Sequence, residues 1–389
     1  MPAASLLELR KFLAPESVFG AGAASMAGRY VQNLGARRAL LVTDPGITHL
    51  PWFDSITSSI LGMGVELEIF ADIHANPRDF EVMQGAELFR SKGCDAIVAV
   101  GGGSPMDCAK GIGIVVTNDC HVLDFEGVDN VQNPGPPLIC VPTTAGSSAD
   151  VSQFAIINDT ERKVKIAIVS KAMVPDVALI DPLLTLTMPR ELTAHTGVDA
   201  LTHAIEAYVS NAHGPTTDLF ALDAIRRIAR HLPLAITRPD DAEARAGMML
   251  GSMYAGLAFS NAILGAVHAM AHSLGGLMDL PHGQCNAMLL DHVIDYNFDA
   301  APERYADIAV ALGAQLSPTA PFEEKRRAVL HQVRALKAAV GATEGLGSLG
   351  VTPEHIEGLA AFAMNDPCMV TNPKAPTALD IKAVYRNAL

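Results

Sequence analysis

Short β-branched runs alternate with amphipathic stretches through the first half of the chain. Residues 38–43, 65–70, 95–100, 137–141 and 177–180 read as strands, and 53–61, 79–90 and 105–114 read as helices by their 3.6-residue apolar spacing. This alternation predicts an α/β domain, a doubly wound parallel sheet covered by helices. From about Pro182 the β-branched runs vanish, and longer amphipathic stretches at 217–231, 302–312 and 321–339 predict an all-α second half. The boundary is expected at the Asp181-Pro182 turn, because proline fixes φ and biases the residue before it away from helix. The expected domains are therefore 1–182 and 183–389.

One stretch breaks the amphipathic pattern. From Ala246 to Met278 there is no Asp, Glu, Lys or Arg, and that length would span a bilayer. Asn261, His268 and His272 lie within it, and such groups are expensive in lipid unless paired. The expectation is an all-round apolar helix buried in the helical domain, not a membrane span.

The length, 389 residues, agrees with two domains. A formal charge of −14 without any basic stripe argues against nucleic acid or anionic lipid as a partner. Glu8, Arg10 and Lys11 interrupt the apolar run that a secretory signal would need, so a cytoplasmic location is expected. The six cysteines include no C-x-x-C pair, which suits reduced, packed thiols.

Three loops at predicted strand ends carry cofactor chemistry. Gly101-Gly102-Gly103-Ser104 follows a strand and precedes Pro105, read as the first position of a helix. Glycines let backbone approach a phosphate closely, and a helix start offers unpaired N–H groups. The run is not the G-x-G-x-x-G fingerprint, and alone it is equally a structural turn. Asp44 closes another strand, where a carboxylate can accept from a ribose 2′-hydroxyl and repel a 2′-phosphate. The hydroxyl-rich run Pro142 to Ser148 follows a third. Together they favour a dinucleotide.

A second constellation lies in the helical half. Asp199 and His203 stand at i and i+4 and so point from one helix face, His268 and His272 repeat that spacing, and His282 follows in a Pro281-His282-Gly283 turn. Burying this many polar groups among Ala, Gly and Leu is costly unless they are paired or coordinated. A metal site and a set of satisfied core histidines are both compatible with the spacing alone.

Taken together, FGAGA at Phe19, LVTD at Asp44, GGGSPMDCAKGIGI, PTTAG, PDVALIDP, TGVDALTHAIEAYVS, GAVHAMAHSLGG, LPHGQCNAMLL and DPCMVTNP resemble the iron-containing (group III) alcohol dehydrogenases nearly end to end. That family includes lactaldehyde reductase and propanediol dehydrogenases. The resemblance implies the dehydroquinate synthase-like fold, a Rossmann-like N-terminal domain and a helical C-terminal domain with the active site in a cleft, in a homodimer or larger assembly. It implies Asp199, His203, His268 and His282 as ligands of Fe2+, with Zn2+ as an alternative, and leaves His272 uncoordinated near the reacting atoms. It implies NAD contacts from Asp44, Asn76, Gly102, Gly103, Ser104, Thr143, Thr144, Ser147 and Lys165, and a substrate pocket lined by Phe259 and Cys368. One departure is Asp150, where many relatives carry glutamate.

The implied reaction interconverts small primary alcohols and aldehydes. A divalent ion acts as Lewis acid on the alcohol oxygen, and a hydride passes from the alkoxide carbon to NAD+. A related polyol or hydroxy-acid dehydrogenase and a sensor or regulator of alcohol catabolism that retains the fold for binding are the alternatives.

Overall fold

A computed structural model describes residues 9–389. Its contacts divide them into two units, residues 13–188 and residues 189–389, with residues 9–12 joined to the latter. The division falls at Met188–Pro189, beyond the Asp181-Pro182 turn. Asp181 explains the difference: its carboxylate accepts from Gly22 N at 2.8 Å and Leu183 N at 3.1 Å, which ties that turn into the α/β unit. Residues 9–12 join the helical unit through Arg10, whose Nε donates to His213 O at 3.3 Å, and Phe12, stacked on Phe220 at 5.7 Å.

The α/β unit contains strands β1 (Glu16–Phe19), β2 (Arg38–Val42), β3 (Glu66–Phe70), β4 (Ala96–Gly101), β5 (Gly127–Val128), β6 (Leu138–Pro142), β7 (Phe154–Asp159), β8 (Val164–Val169) and β9 (Val177–Ile180). Its helices are α1 (Ala27–Asn33), α2 (Phe53–Gly62), α3 (Asp79–Lys92) and α4 (Gly103–Asn118). Six strands form one parallel sheet in the order β1-β9-β6-β4-β2-β3. The apolar runs of β4 and β6 are buried throughout and take central places, whereas β3, with Glu66 and Glu68, lies at an edge. Along β4, Ile97 and Ala99 enter one core layer while Val98 and Val100 enter the other, as a period of two requires. The chain adds β3 on one side of β2 and β4 on the other, so the crevice beyond the carboxyl ends of β2 and β4 is the topological switch point.

Three features differ from the sequence-based reading. Helix α4 starts at Gly103 with Gly102 as its cap, so Pro105 sits inside the first turn, where its missing N–H costs nothing. Strand β1 was not anticipated, nor was a second sheet in which β7 and β8 pair antiparallel and β5 flanks β8. The polar ends of β7 (Asn158, Asp159) and the charged turn that follows conceal this hairpin in the sequence.

Helices α1 and α2 approach so closely that a Cβ on Gly28 would lie 1.9 Å from Ser59 O. Backbone cannot yield as a side-chain tip can. Gly28→Ala is therefore expected to destabilise by roughly 1–3 kcal/mol, the usual range for overpacking; thermal unfolding at wild-type temperature would contradict this contact.

The helical unit holds α5 (Arg190–Val209), α6 (Pro215–Thr237), α7 (Ala242–Ala262), α8 (Ala266–Met278), α9 (His282–Asn297), α10 (Pro302–Ala311), α11 (Phe322–Val340), α12 (Ile356–Asn365) and α13 (Ala378–Ala388). The uncharged stretch expected as one helix is two, α7 and α8, bent by 98°. The break is held by groups remote in sequence. Ile263 adopts φ 61°, and a Cβ on Gly265 would meet Asn372 Oδ1 and Glu206 Oε1, each at 2.9 Å. Among the described residues no single helix is long and apolar enough to cross a membrane.

Candidate active site

The loops of the α/β unit converge through a chain of short contacts. Gly101 takes φ +152°, and a Cβ there would lie 3.5 Å from Asp44 Oδ2; its carbonyl accepts from Thr143 N at 2.9 Å. Cβ atoms on Gly102 and Gly103 would lie 3.3 Å from Thr144 Oγ1 and 3.1 Å from Ser147 Oγ. Ser104 Oγ accepts from Asn76 N at 3.2 Å, and Asn76, at φ 60°, accepts from Lys165 Nζ at 2.7 Å through Oδ1. All nine residues expected to contact a dinucleotide are thus neighbours around the carboxyl ends of β2, β4 and β6. Lys165 comes from the unanticipated β7–β8 hairpin.

The arrangement suits a dinucleotide. Among the described residues no side chain caps the start of α4, so its first-turn N–H groups follow a glycine backbone without a capping side chain, the setting that binds a pyrophosphate. Burial raises the Asp44 carboxyl, opposed by the amides of Gly46 and Ile47. Asp150 lies inside, and burial lifts its carboxyl to about 6, opposed by its own amide and by Lys110.

In the helical unit, α5, α8 and α9 bring four groups together. Asp199 Oδ1 lies 3.6 Å from His268 Nε2, 3.8 Å from His282 Nε2 and 4.0 Å from His203 Nε2. Donors on a tetrahedral zinc-like ion with bonds near 2.1 Å stand about 3.4 Å apart, so small side-chain movements would close this set on a cation. Asp199, His268 and His282 form the tightest group, and His203 stacks on the His268 ring at 4.5 Å. His282 opens α9 with Pro281 as its cap, where the sequence suggested a turn.

Charge supports the same reading. Burial would raise Asp199, but the charge of His203, the hydrogen bond of His268 and the charge of His282 outweigh it and hold the carboxyl far below the usual range. Burial lowers His268, yet hydrogen bonds to Asp199 and Glu206 raise it to about 9. A cation would replace that proton. This is a donor set of one carboxylate and three imidazoles poised for a divalent ion.

His272, one turn along α8 from His268, belongs to a second group. Its Nδ1 lies 2.8 Å from Asp366 Oδ2, whose Oδ1 accepts from Cys368 N at 2.8 Å. Its ring stacks on His282 at 5.3 Å. Burial pushes the Cys368 thiol well above its ordinary range, so it is an inert wall rather than a nucleophile. Phe259 stacks on His203 at 4.4 Å. Both expected pocket residues therefore border the cluster.

Three residues escaped the sequence reading. Glu206 bonds His268, Asn286 Nδ2 donates to Asp199 Oδ1 at 2.6 Å, and Asp366 holds His272. Glu206 was legible as the third member of an i, i+4, i+7 polar stripe with Asp199 and His203. Asn286 stands one turn after His282. Asp366 had only its place two residues before Cys368.

Comparison with known proteins finds matches over nearly the whole chain. Residues 14–182 match the model of the iron-containing alcohol dehydrogenases, and residues 193–389 match that of the C-terminal region of the same family. The chain is 42% identical to 1,3-propanediol dehydrogenase of Klebsiella pneumoniae, over 97% of its own length and 98% of the relative's. It is 38% identical to lactaldehyde reductase of Escherichia coli (strain K12), covering 97% and 99%. Among solved structures, a 1,3-propanediol oxidoreductase superposes with a TM-score of 0.95 at 41% identity, covering 98% of this chain and 100% of the other.

Proposed function

We propose, for a chain that belongs to the iron-containing alcohol dehydrogenase family, that it interconverts small primary alcohols and aldehydes with NAD+ and NADH. The observation that carries this reading is the buried convergence of Asp199 with His203, His268 and His282 beside the His272–Asp366 pair. In this reading the α/β unit binds the dinucleotide and the helical unit holds metal and substrate. The four residues would hold iron, with zinc as the alternative. When bound, the cation supplies Lewis acidity towards the alcohol oxygen and NAD+ supplies the hydride acceptor.

The chain's own residues do the rest. Phe259 and Cys368 wall the cluster with apolar surface that keeps water from the reacting carbon. The first-turn amides of α4 and the hydroxyl of Ser104 would anchor the pyrophosphate, while Thr143, Thr144, Ser147 and the bonded pair Lys165–Asn76 would hold other polar groups of the dinucleotide. His272 accepts the alcohol proton at Nε2, its Nδ1–H being held by Asp366. A cytoplasmic homodimer or larger homo-oligomer completes the reading, supported by likeness to the family; the assembly is checked by light scattering.

Anaerobic metal analysis coupled to NADH assays across short alcohols, diols, glycerol and 4-hydroxybutyrate tests the proposal. One metal per chain and turnover highest on short primary alcohols or diols is the expected result; metal binding without turnover on any of them would overturn it.

Asp44 makes a separate prediction. Its carboxylate would face the 2′-phosphate of NADPH, and like charges in a partly dry site cost several kcal/mol. The enzyme should prefer NADH by well over ~10-fold in kcat/KM, and Asp44→Gly should narrow the ratio. Equal use of both cofactors by the wild type would remove Asp44 from this role.

A further inference from the structure

We infer that Glu206 is the residue that makes His268 a metal ligand, by fixing the proton on its Nδ1 and locking the start of α8. This rests on the reading of His268 as a ligand.

Glu206 projects from α5, one turn beyond His203, and is 4% exposed. Its carboxylate meets three N–H groups from one short segment. Oε2 accepts from His268 Nδ1 at 2.6 Å and from Gly265 N at 3.1 Å, and Oε1 accepts from Val267 N at 2.7 Å. A carboxylate only accepts, so the proton of a neutral His268 must sit on Nδ1. The lone pair is then on Nε2, the atom that faces Asp199 at 3.6 Å. The two backbone bonds anchor the start of α8, where negative charge is favoured by the helix dipole. The break between α7 and α8 and the direction of the His268 ring therefore have one cause. Gly265 is part of the device, since any Cβ there would displace the Glu206 oxygen.

Only a carboxylate accepts from all three N–H groups at once. A glutamine has one accepting oxygen and one NH2 group, so it must turn the NH2 either against Val267 N–H or against Gly265 N–H and His268 Nδ1. In the second arrangement the amide donates to Nδ1 and moves the imidazole proton to Nε2, where it blocks coordination. Support of this kind at a ligating histidine typically changes metal affinity 10–100-fold.

Asn372 provides the control. Its Oδ1 accepts from Ala266 N at 3.1 Å and so also steadies the start of α8, but it bonds no histidine. The experiment measures Zn2+ affinity by chelator competition at fixed pH for the wild type, Glu206→Gln, Asn372→Ala and His268→Ala, with thermal unfolding alongside. Glu206→Gln should bind Zn2+ about 10–100-fold more weakly, while Asn372→Ala should lose thermal stability and keep its affinity. Affinity of Glu206→Gln within threefold (about half a log unit) of wild type overturns the inference, as does an equal loss in Asn372→Ala, which would make α8 anchoring the whole effect. Wild-type affinity in His268→Ala would instead remove His268 from the ligand set, and the inference with it. Should Glu206→Gln not fold, wild-type enzyme labelled with 15N-histidine and loaded with Zn2+ decides: a downfield Nδ1–H resonance that disappears in His268→Ala is expected, and its absence overturns the assignment.

Discussion

His282→Ala should lose metal and turnover together, with affinity for Zn2+ or Fe2+ more than ~100-fold below wild type, beyond the range typical of residues that only support a ligand. His282 is the first residue of α9 and the most accessible of the four groups, with 27% of its side chain exposed. Alanine there leaves the buried Asp199, His203 and His268 in place. The fold should survive, so the loss reads on coordination rather than on packing. The proton on His268 adds a pH dependence whose sign can be worked out. Its pKa is raised from 6.5 to about 9, so the stability this proton contributes to the metal-free protein is fully present below 6.5 and lost as pH rises to about 9. Metal competes with that proton and binds better over the same interval. The rise in unfolding temperature on adding Zn2+ should therefore grow from pH 6.5 to 9 in the wild type and be nearly flat in His282→Ala. One metal per chain with normal activity in His282→Ala, measured by elemental analysis, would remove it from the ligand set.

How far the site could be read from the sequence depended on how local its geometry is. Asp199 with His203 and His268 with His272 were visible because a helix turns i and i+4 to one side, and the strand-end loops because a parallel sheet aligns its carboxyl ends. The α7–α8 break was hidden: the uncharged stretch has continuous helical composition, and the chain stops there because of Glu206 and Asn372, which are remote in sequence. Lys165 was expected near the cofactor from family likeness alone, since the hairpin that delivers it to Asn76 was not read as strands. Asp366 reaches His272 across 94 positions, and no periodicity spans such an interval.

That long-range contact gives the last prediction. Asp366 Oδ2 accepts from His272 Nδ1 at 2.8 Å, and Oδ1 accepts from Cys368 N. Burial would raise the Asp366 carboxyl, but the charge and hydrogen bond of His272 and the amide of Cys368 hold it below the usual range. A carboxylate in that place keeps the imidazole proton on Nδ1 and leaves Nε2 to exchange a proton with the substrate, histidine being the side chain suited to proton transfer near neutral pH. His272→Ala should keep its metal, since His272 is outside the four-residue cluster, and lose about 10²-fold or more in kcat with an altered pH profile. Asp366→Asn should do much the same with the imidazole still present, because an amide can donate to Nδ1 and place the ring proton on Nε2. A histidine that merely packs would behave differently: its removal would raise KM for substrate or cofactor, leave the pH profile of kcat unchanged, and make Asp366→Asn nearly silent. Measuring kcat against pH for the two variants, with metal content determined on the same samples, separates these cases, and loss of metal in His272→Ala would mean that the ligand set itself extends to α8's second histidine.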